Sequence, residues 1–178
     1  DALNRLKGPY GWRLFHPPIG DPPIAKLGRL GQGDLAAGIY ENGAPYNHGS
    51  HGFLSRAAWV AGQGNLLYEV FRYMFPYDQE AHPVEVAQTT PYGVVNMWKE
   101  GMGMEGIGGM PFLSGTISTA IRNCYQGLIG FRPGLDELVI DPCLPADWEG
   151  ASAEITFLGG RYRIRINNTE HVQSGVTA

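Results

Sequence analysis

The hydrophobic pattern of this chain changes its period near residue 134, and that change limits the folds that the chain can adopt. Upstream of it, apolar residues recur at helical spacing between residues 115 and 129, which predicts a helix with one buried face. The apolar stripe consists of Ile117, Ala120, Ile121, Cys124, Leu128 and Ile129. Ser114 is placed to cap the start of this helix.

Downstream of the change, three segments have the pattern of β-strands, at residues 137–141, 153–158 and 161–167. The last of them alternates strictly, with apolar residues on one face and arginines on the other. The apolar residues are Tyr162, Ile164 and Ile166. Gly159 and Gly160 predict a hairpin turn between the second and the third strand.

Two shorter helices are predicted at residues 53–62 and 65–75, with a break at Gly62-Gln63-Gly64 and an end before Pro76. The stretches 1–49 and 80–113 are loop-rich and hold many of the 26 glycines and 13 prolines of the chain. Loops of this length inside a compact domain are more often functional than connective.

The predicted elements are too few to complete a domain of either class. Three helices cannot close a helical domain, and three strands cannot form a β-sandwich. We therefore expect the 178 residues to be the C-terminal portion of a longer protein. Residues 1–134 would belong to a helical domain, and residues 135–178 to a β domain that is incomplete by itself.

Charge and composition exclude several classes of protein. The chain has 13 basic and 17 acidic residues and a formal net charge of −4, so it lacks the basic surface that nucleic-acid binding needs. It has no run of about 18 apolar residues, and its first residues lack the apolar core of a signal peptide. Two cysteines form no disulfide framework and favour a reducing compartment. We expect a cytoplasmic protein that binds neither nucleic acid nor membrane.

The glycines at 101, 103 and 106 match GxGxxG, the dinucleotide-binding fingerprint. That fingerprint requires a strand before it and a helix after it. Here the sequence Gly108-Gly109-Met110-Pro111 follows, which is not the start of a helix. A glycine-rich chain produces this spacing by chance, and a nucleotide-binding interpretation is disfavoured.

Two loop regions carry residues suited to an anion. The first helical turn at Ser114 and Gly115 offers a hydroxyl, free backbone N–H groups and the positive end of the helix dipole. His48 and His51 could form a metal pair, but no carboxylate or cysteine cluster lies near them in sequence. Ordinary hydrogen bonding, or an anion contact by one histidine, explains the pair equally well.

The loops also hold carboxylates and aromatic rings. Glu41, Glu100 and Glu105 could in principle serve glycoside hydrolysis, but nothing in the sequence pairs them, and solvated side chains are the simpler interpretation. Three aromatic residues could stack on a sugar or belong to the core. These are Tyr46, Trp98 and Phe112.

The order of several motifs resembles the cellobiose and chitobiose phosphorylases, glycoside hydrolase family 94. The motifs are GIYENGAPYNH at 38–48, Thr90-Pro91-Tyr92, Asn96-Met97, FLSGTISTA at 112–120 and GLIGFRPGLDELVIDPCLPADW at 127–148. The likeness extends from about Tyr10 to Asn168. It is most specific between Ser114 and Trp148.

This resemblance implies an inverting glycoside phosphorylase acting on β-linked gluco-oligosaccharides. It implies that this chain contains the last part of an (α/α)6 barrel, followed by a small jelly-roll-like β domain. In the family, inorganic phosphate attacks the anomeric carbon directly and an aspartic acid protonates the departing sugar oxygen. Phosphate is the co-substrate, no cofactor or metal is implied, and family members are often homodimers.

The resemblance also assigns residues. His48 matches the phosphate-binding histidine of the family, and Ser114 with Gly115 matches its Thr-Gly pair. Asn96 stands where the family has a glutamine near the donor sugar and the phosphate, and Tyr46 falls in the substrate-binding motif. Thr90 replaces the usual glutamate before Pro-Tyr, so the role of that position is open.

The Trp-Asn-Asp-type segment that carries the acid in the family has no match in residues 1–47. We therefore expect this chain alone to be inactive, with the N-terminal remainder of the same enzyme supplying the aspartate. Two alternatives stay open at this point. One is a transglycosylase or hydrolase of the same fold, as in cyclic glucan synthases, and the other is a non-catalytic carbohydrate-binding segment.

Overall fold

The computed structural model describes residues 2–20, 36–78, 80–112 and 114–175. Within them the helices are α1 (Ala2–Leu6), α2 (Gly52–Val60), α3 (Gly64–Met74), α4 (Val84–Ala87) and α5 (Ser114–Asn123). The strands are β1 (Lys7–Gly8), β2 (Gly11–Trp12), β3 (Met97–Trp98), β4 (Gly108–Gly109), β5 (Phe131–Pro133), β6 (Leu138–Ile140), β7 (Gly150–Phe157) and β8 (Gly160–Asn167). Each strand pairs antiparallel with its neighbour in sequence, giving four two-stranded sheets in these ranges.

The chain packs as two compact units whose boundaries fall inside helices. Of the described residues, the first unit contains those up to Phe53 together with those of Val70–Thr119, and the second contains Leu54–Glu69 with those from Ala120 onward. In the part of the chain that the structure describes, no helix is long and apolar enough to span a membrane. Cys124 and Cys143 are both free thiols.

The helices predicted from hydrophobic periodicity are confirmed. The break between α2 and α3 lies at Gly62, whose φ of +67° is a conformation that glycine adopts without strain. The predicted helix at 115–129 consists of α5 followed by a π-helical segment, Cys124–Leu128. Ser114, expected as its cap, is instead the first residue of α5.

The predicted buried face of α5 is partly wrong. Ile121 is 51% exposed, whereas Thr116, Ala120 and Asn123 are buried. The buried polar side chains of this helix form hydrogen bonds. In the second unit, for example, Asn123 Nδ2 donates to Ser55 Oγ at 2.6 Å. The apolar stripe therefore coincides only in part with the buried side of the helix.

The core of the first unit forms around strand β3. One buried cluster contains Ile39, Ala44 and Met97, and a second contains Ala87, Val95 and Trp98. The segments expected as loops thus hold short strands and short helices. Their apolar residues are spaced too irregularly to be recognised as elements, because each element is only two to five residues long.

The β-ribbon of the second unit confirms the predicted alternation. Along β8, the apolar side chains are half-buried and the arginines are exposed, and Phe131 packs edge-to-face on both Phe157 and Tyr162. Strand β7 begins at Gly150, three residues earlier than predicted. Its first residues have low intrinsic strand propensity and are held by pairing with β8.

Candidate active site

The glycine-rich loop at 101–106 connects two strands of a hairpin. Strand β3 precedes it, and β4 follows it, pairing Met97 with Gly109 and Trp98 with Gly108. A dinucleotide fingerprint needs a helix at the position that β4 occupies. In the structure this motif therefore lacks the strand–loop–helix arrangement of a dinucleotide-binding fingerprint.

His48 and Gly115 lie in direct contact. A methyl group added at Gly115 would lie 2.6 Å from His48 Cε1 and 2.9 Å from each ring nitrogen. Gly115 is in the first turn of α5, where backbone N–H groups have no partner within the helix and the dipole favours anions. His48 is exposed, so its imidazole and this helical turn are together accessible to a ligand.

Asn96 contacts both α5 and the segment that carries Tyr46. Its side chain is almost fully buried, at 7% exposure. Thr116 Oγ1 donates to Asn96 Oδ1 at 2.7 Å, and Asn96 Nδ2 lies 3.5 Å from the hydroxyl of Tyr46. The ring centroid of Tyr46 is 6.1 Å from that of His48. Asn96 thus connects α5 with the loop that carries Tyr46 and His48.

Main-chain hydrogen bonds hold these segments in register. The Asn47 N–H donates to the Asn96 carbonyl at 2.8 Å, and the Asn96 N–H donates to the Gly109 carbonyl at 2.9 Å. The side chain of the fully buried Asn47 adds a further bond, from Nδ2 to the Val95 carbonyl at 2.9 Å. The backbone positions of Asn96 and His48 are therefore fixed relative to each other.

His48 and His51 occupy one π-helical turn, Asn47–His51, in which the Gly52 N–H bonds to the Asn47 carbonyl five residues earlier. His51 is fully buried. Its Nε2 accepts from the Trp12 N–H at 2.8 Å, so Nδ1 carries the proton and donates to Asn47 Oδ1 at 2.5 Å. Burial, with a smaller contribution from His82, lowers the pKa of His51 to about 3.

His51 is therefore a neutral histidine with both nitrogens engaged by the protein, and it is not available as a metal ligand. Among the described residues, no group of three or more histidine, cysteine, aspartate and glutamate side chains is arranged to hold a metal ion. Of the two histidines in the predicted pair, only His48 has an exposed ring.

The carboxylates and the remaining aromatic residues differ in how far they are exposed to solvent. Glu100 is mostly buried and forms an ion pair with Arg13, so it is not the solvated side chain that the sequence suggested. Glu41 and Glu105 are exposed, as expected. Trp98 is a core residue, stacked on His82 with 3.7 Å between ring centroids, whereas Phe112 is 65% exposed.

Four of the five predicted site residues are therefore neighbours in the first unit: Tyr46, His48, Asn96 and Gly115. Ser114 is adjacent to Gly115 at the start of α5, but its side chain lies outside the described part of the structure. Sequence reasoning missed Thr116 and Asn47. A polar residue inside the apolar pattern of a helix is the only signal that could have indicated Thr116.

The sequence of this chain matches a known protein family and several known proteins. Residues 2–130 match the model of the glycosyl hydrolase 94 superfamily, catalytic domain. The chain is 34% identical to solabiose phosphorylase of Paenibacillus borealis, over 97% of the chain and 22% of that protein. It is 32% identical to N,N'-diacetylchitobiose phosphorylase of Vibrio furnissii, over 96% of the chain and 21% of that protein.

A third relative is named as a glucan synthase and not as a phosphorylase. The cyclic beta-(1,2)-glucan synthase of Rhizobium meliloti is 29% identical over 87% of the chain, which is 5% of that protein. The chain spans about a fifth of the length of the two phosphorylases. The match to the family model and the identity to its phosphorylases show that this chain belongs to the glycosyl hydrolase 94 superfamily.

Proposed function

We propose that this chain supplies the phosphate-binding half of the active site of an inverting glycoside phosphorylase that acts on β-linked gluco-oligosaccharides. The observation that carries the proposal is the contact of the exposed His48 ring with Gly115 in the first turn of α5. An imidazole beside the N–H groups of a helix N-terminus is a combination suited to a phosphate dianion.

The reaction would be a single displacement. A phosphate oxygen forms a bond to the anomeric carbon as the bond from that carbon to the departing sugar oxygen breaks, which inverts the configuration and gives an α-sugar 1-phosphate. The departing oxygen takes a proton from a carboxylic acid, which we place in the N-terminal remainder of the enzyme. Phosphate is already anionic, so the displacement needs no general base.

In this proposal the residues of the chain bind and orient phosphate. His48, the Ser114–Gly115 turn and the Asn96 amide donate hydrogen bonds to its oxygens, and Tyr46 borders the sugar. Residues 1–134 would form the end of an (α/α)6 barrel and residues 135–178 a jelly-roll-like β domain. The complete enzyme would be a homodimer, as is common among phosphorylases of this type.

Replacing His48 tests the proposal. In the full-length protein, we expect His48→Ala to reduce kcat/KM for phosphate by roughly 10²-fold, as for loss of one preorganised donor at a reacting anion. The assay is release of sugar 1-phosphate from a panel of β-linked disaccharides at increasing phosphate concentration. His171→Ala is the matched control, because His171 is exposed and lies in the other unit.

Normal phosphate dependence in the His48→Ala enzyme would contradict the proposal. A second candidate is transglycosylation or hydrolysis, which the similarity to a cyclic beta-(1,2)-glucan synthase favours. In that case, oligosaccharide would be consumed equally well without phosphate. Sugar binding without any turnover would instead indicate a non-catalytic carbohydrate-binding segment.

A further inference from the structure

An asparagine beside an anion can act in two opposite ways. Its side-chain amide has a nitrogen with two N–H donors and an oxygen that only accepts, on a frame of nearly the same shape at both ends. If the nitrogen faces a phosphate, the contact is attractive, whereas the oxygen would repel it. Whatever fixes the orientation of the Asn96 amide therefore decides whether this residue binds an anion.

The backbone of Asn96 is already fixed by hydrogen bonds on both sides, to Asn47 and to Gly109. With the backbone fixed, the Asn96 amide can change its direction by rotation of the side chain. The amide is almost completely buried, so its orientation is set by the protein groups that contact it.

Thr116 provides the contact that distinguishes the two ends. Its side chain is fully buried, and its Oγ1 donates to Asn96 Oδ1 at 2.7 Å. A buried hydroxyl loses free energy if its proton has no acceptor. Reversal of the amide would place N–H groups against the hydroxyl and remove the acceptor that it has in the structure.

The nitrogen end of the amide then lies toward Tyr46. Asn96 Nδ2 is directed to the hydroxyl of Tyr46, whose ring neighbours that of His48, and His48 lies against Gly115. Asn96 Nδ2 is thus linked through Tyr46 to His48 and Gly115, which we propose to contact phosphate.

We infer that Thr116 is a positioning residue that fixes the polarity of the Asn96 amide, so that the site presents N–H donors to an anionic co-substrate. This inference rests on the proposed function. It assigns to Thr116 a contribution to phosphate affinity that is separate from the stability of the fold and from sugar binding.

The test compares Thr116→Val, which is similar in shape but lacks the hydroxyl, with Thr116→Ser, which keeps it. In the full-length protein, KM for inorganic phosphate is measured at saturating sugar, and KM for sugar at saturating phosphate. Calorimetry gives Kd for inorganic phosphate directly. We expect Thr116→Val to raise KM and Kd for phosphate roughly tenfold, the value of one hydrogen bond. KM for sugar should change less than twofold, and Thr116→Ser should restore most of the phosphate affinity.

Variants of Asn96 test the same inference independently. Asn96→Asp keeps the acceptor for Thr116 but turns a charged oxygen toward the anion, so it should bind phosphate more weakly than Asn96→Ala. If the two residues act together, adding Thr116→Val to Asn96→Ala should cause little further loss of phosphate affinity.

Three results would overturn the inference while wild-type phosphorolysis remains intact. These are an unchanged phosphate KM in Thr116→Val, an equal loss in Thr116→Ser, and phosphate binding by Asn96→Asp at least as tight as by Asn96→Ala. A parallel rise of both KM values with a lower Tm would overturn it as well, since that indicates a structural role. A wild-type enzyme without phosphate dependence would overturn the proposed function, and the inference with it.

Discussion

Gly115 leaves open the space that the imidazole of His48 occupies. The missing methyl group would come within 3 Å of three ring atoms, which is closer than carbon atoms approach without displacement. Because His48 is an exposed side chain, its ring can move outward without disturbing the core. The contact therefore restricts the histidine and does not support the fold.

We expect Gly115→Ala to weaken phosphate binding by roughly tenfold, because the displaced His48 would lose a hydrogen bond to an anion. Tm should change by less than a few degrees. The measurement is KM for phosphate in the sugar 1-phosphate assay, together with thermal melting. Gly20→Ala is the control, since a methyl group at Gly20 meets nothing within 4 Å. Equal phosphate KM values for both variants and the wild type would contradict the expectation.

The sequence identified residues that lie in the motifs resembling the family, such as His48 and Gly115. Asn47 and Thr116 were not identified, because their partners are distant in sequence. Asn47 bonds to Val95, 48 residues away, and Thr116 bonds to Asn96, 20 residues away. A hydrogen bond made by a buried side chain leaves no periodic signal in the chain.

Among the elements, α5 shows where hydrophobic periodicity succeeds and where it fails. The pattern located the helix, because apolar spacing near 3.6 residues is strong evidence of helical structure. It placed the wrong residue, Ile121, in the interior. Thr116 and Asn123 are buried in its place, and polar side chains with internal hydrogen bonds are invisible to an analysis that counts only apolar ones.

The ribbon formed by β7 and β8 has a turn with an unfavourable residue. Leu158 and Gly159 connect the strands with φ angles of +49° and +79°, the left-handed pair typical of a type I′ turn. Asparagine adopts this conformation readily, whereas leucine is strained in it. Leu158 is also 90% exposed, so it contributes little packing in return.

We expect Leu158→Asn to stabilise the protein by about 0.5–1 kcal/mol through relief of this strain. The measurement is the free energy of unfolding by urea. Leu135→Asn is the matched control, because Leu135 is fully exposed and removing it tests only the loss of an exposed apolar side chain. The explanation fails if both variants gain the same stability, or if Leu158→Asn gains none.

For the molecule as a whole, two buried histidines contribute to the dependence of stability on pH. His51 has a pKa of about 3, and burial lowers the pKa of His82 to about 4. In the unfolded chain, both would titrate near 6.5. Between these values the unfolded state binds more protons than the folded state, so stability falls as pH decreases.

We expect the free energy of unfolding to decrease from pH 6.5 toward pH 4, with each histidine contributing up to about 1.4 kcal/mol per pH unit. Thermal melting across this range is the measurement. His82→Gln should reduce this slope by up to about 1.4 kcal/mol per pH unit, which corresponds to one proton. Stability that is constant or higher at pH 5 than at pH 7 would contradict this expectation.

The π turn at Asn47–His51 also determines which residue faces α5. A turn closed by a bond over five residues holds one residue more than an α-helical turn. Each residue of an α-helix advances the angular phase by about 100°, so deleting one residue between 47 and 52 would rotate the imidazole to another side of the helix axis. The direction of the His48 ring is thus set by the number of residues in this segment as much as by their identity.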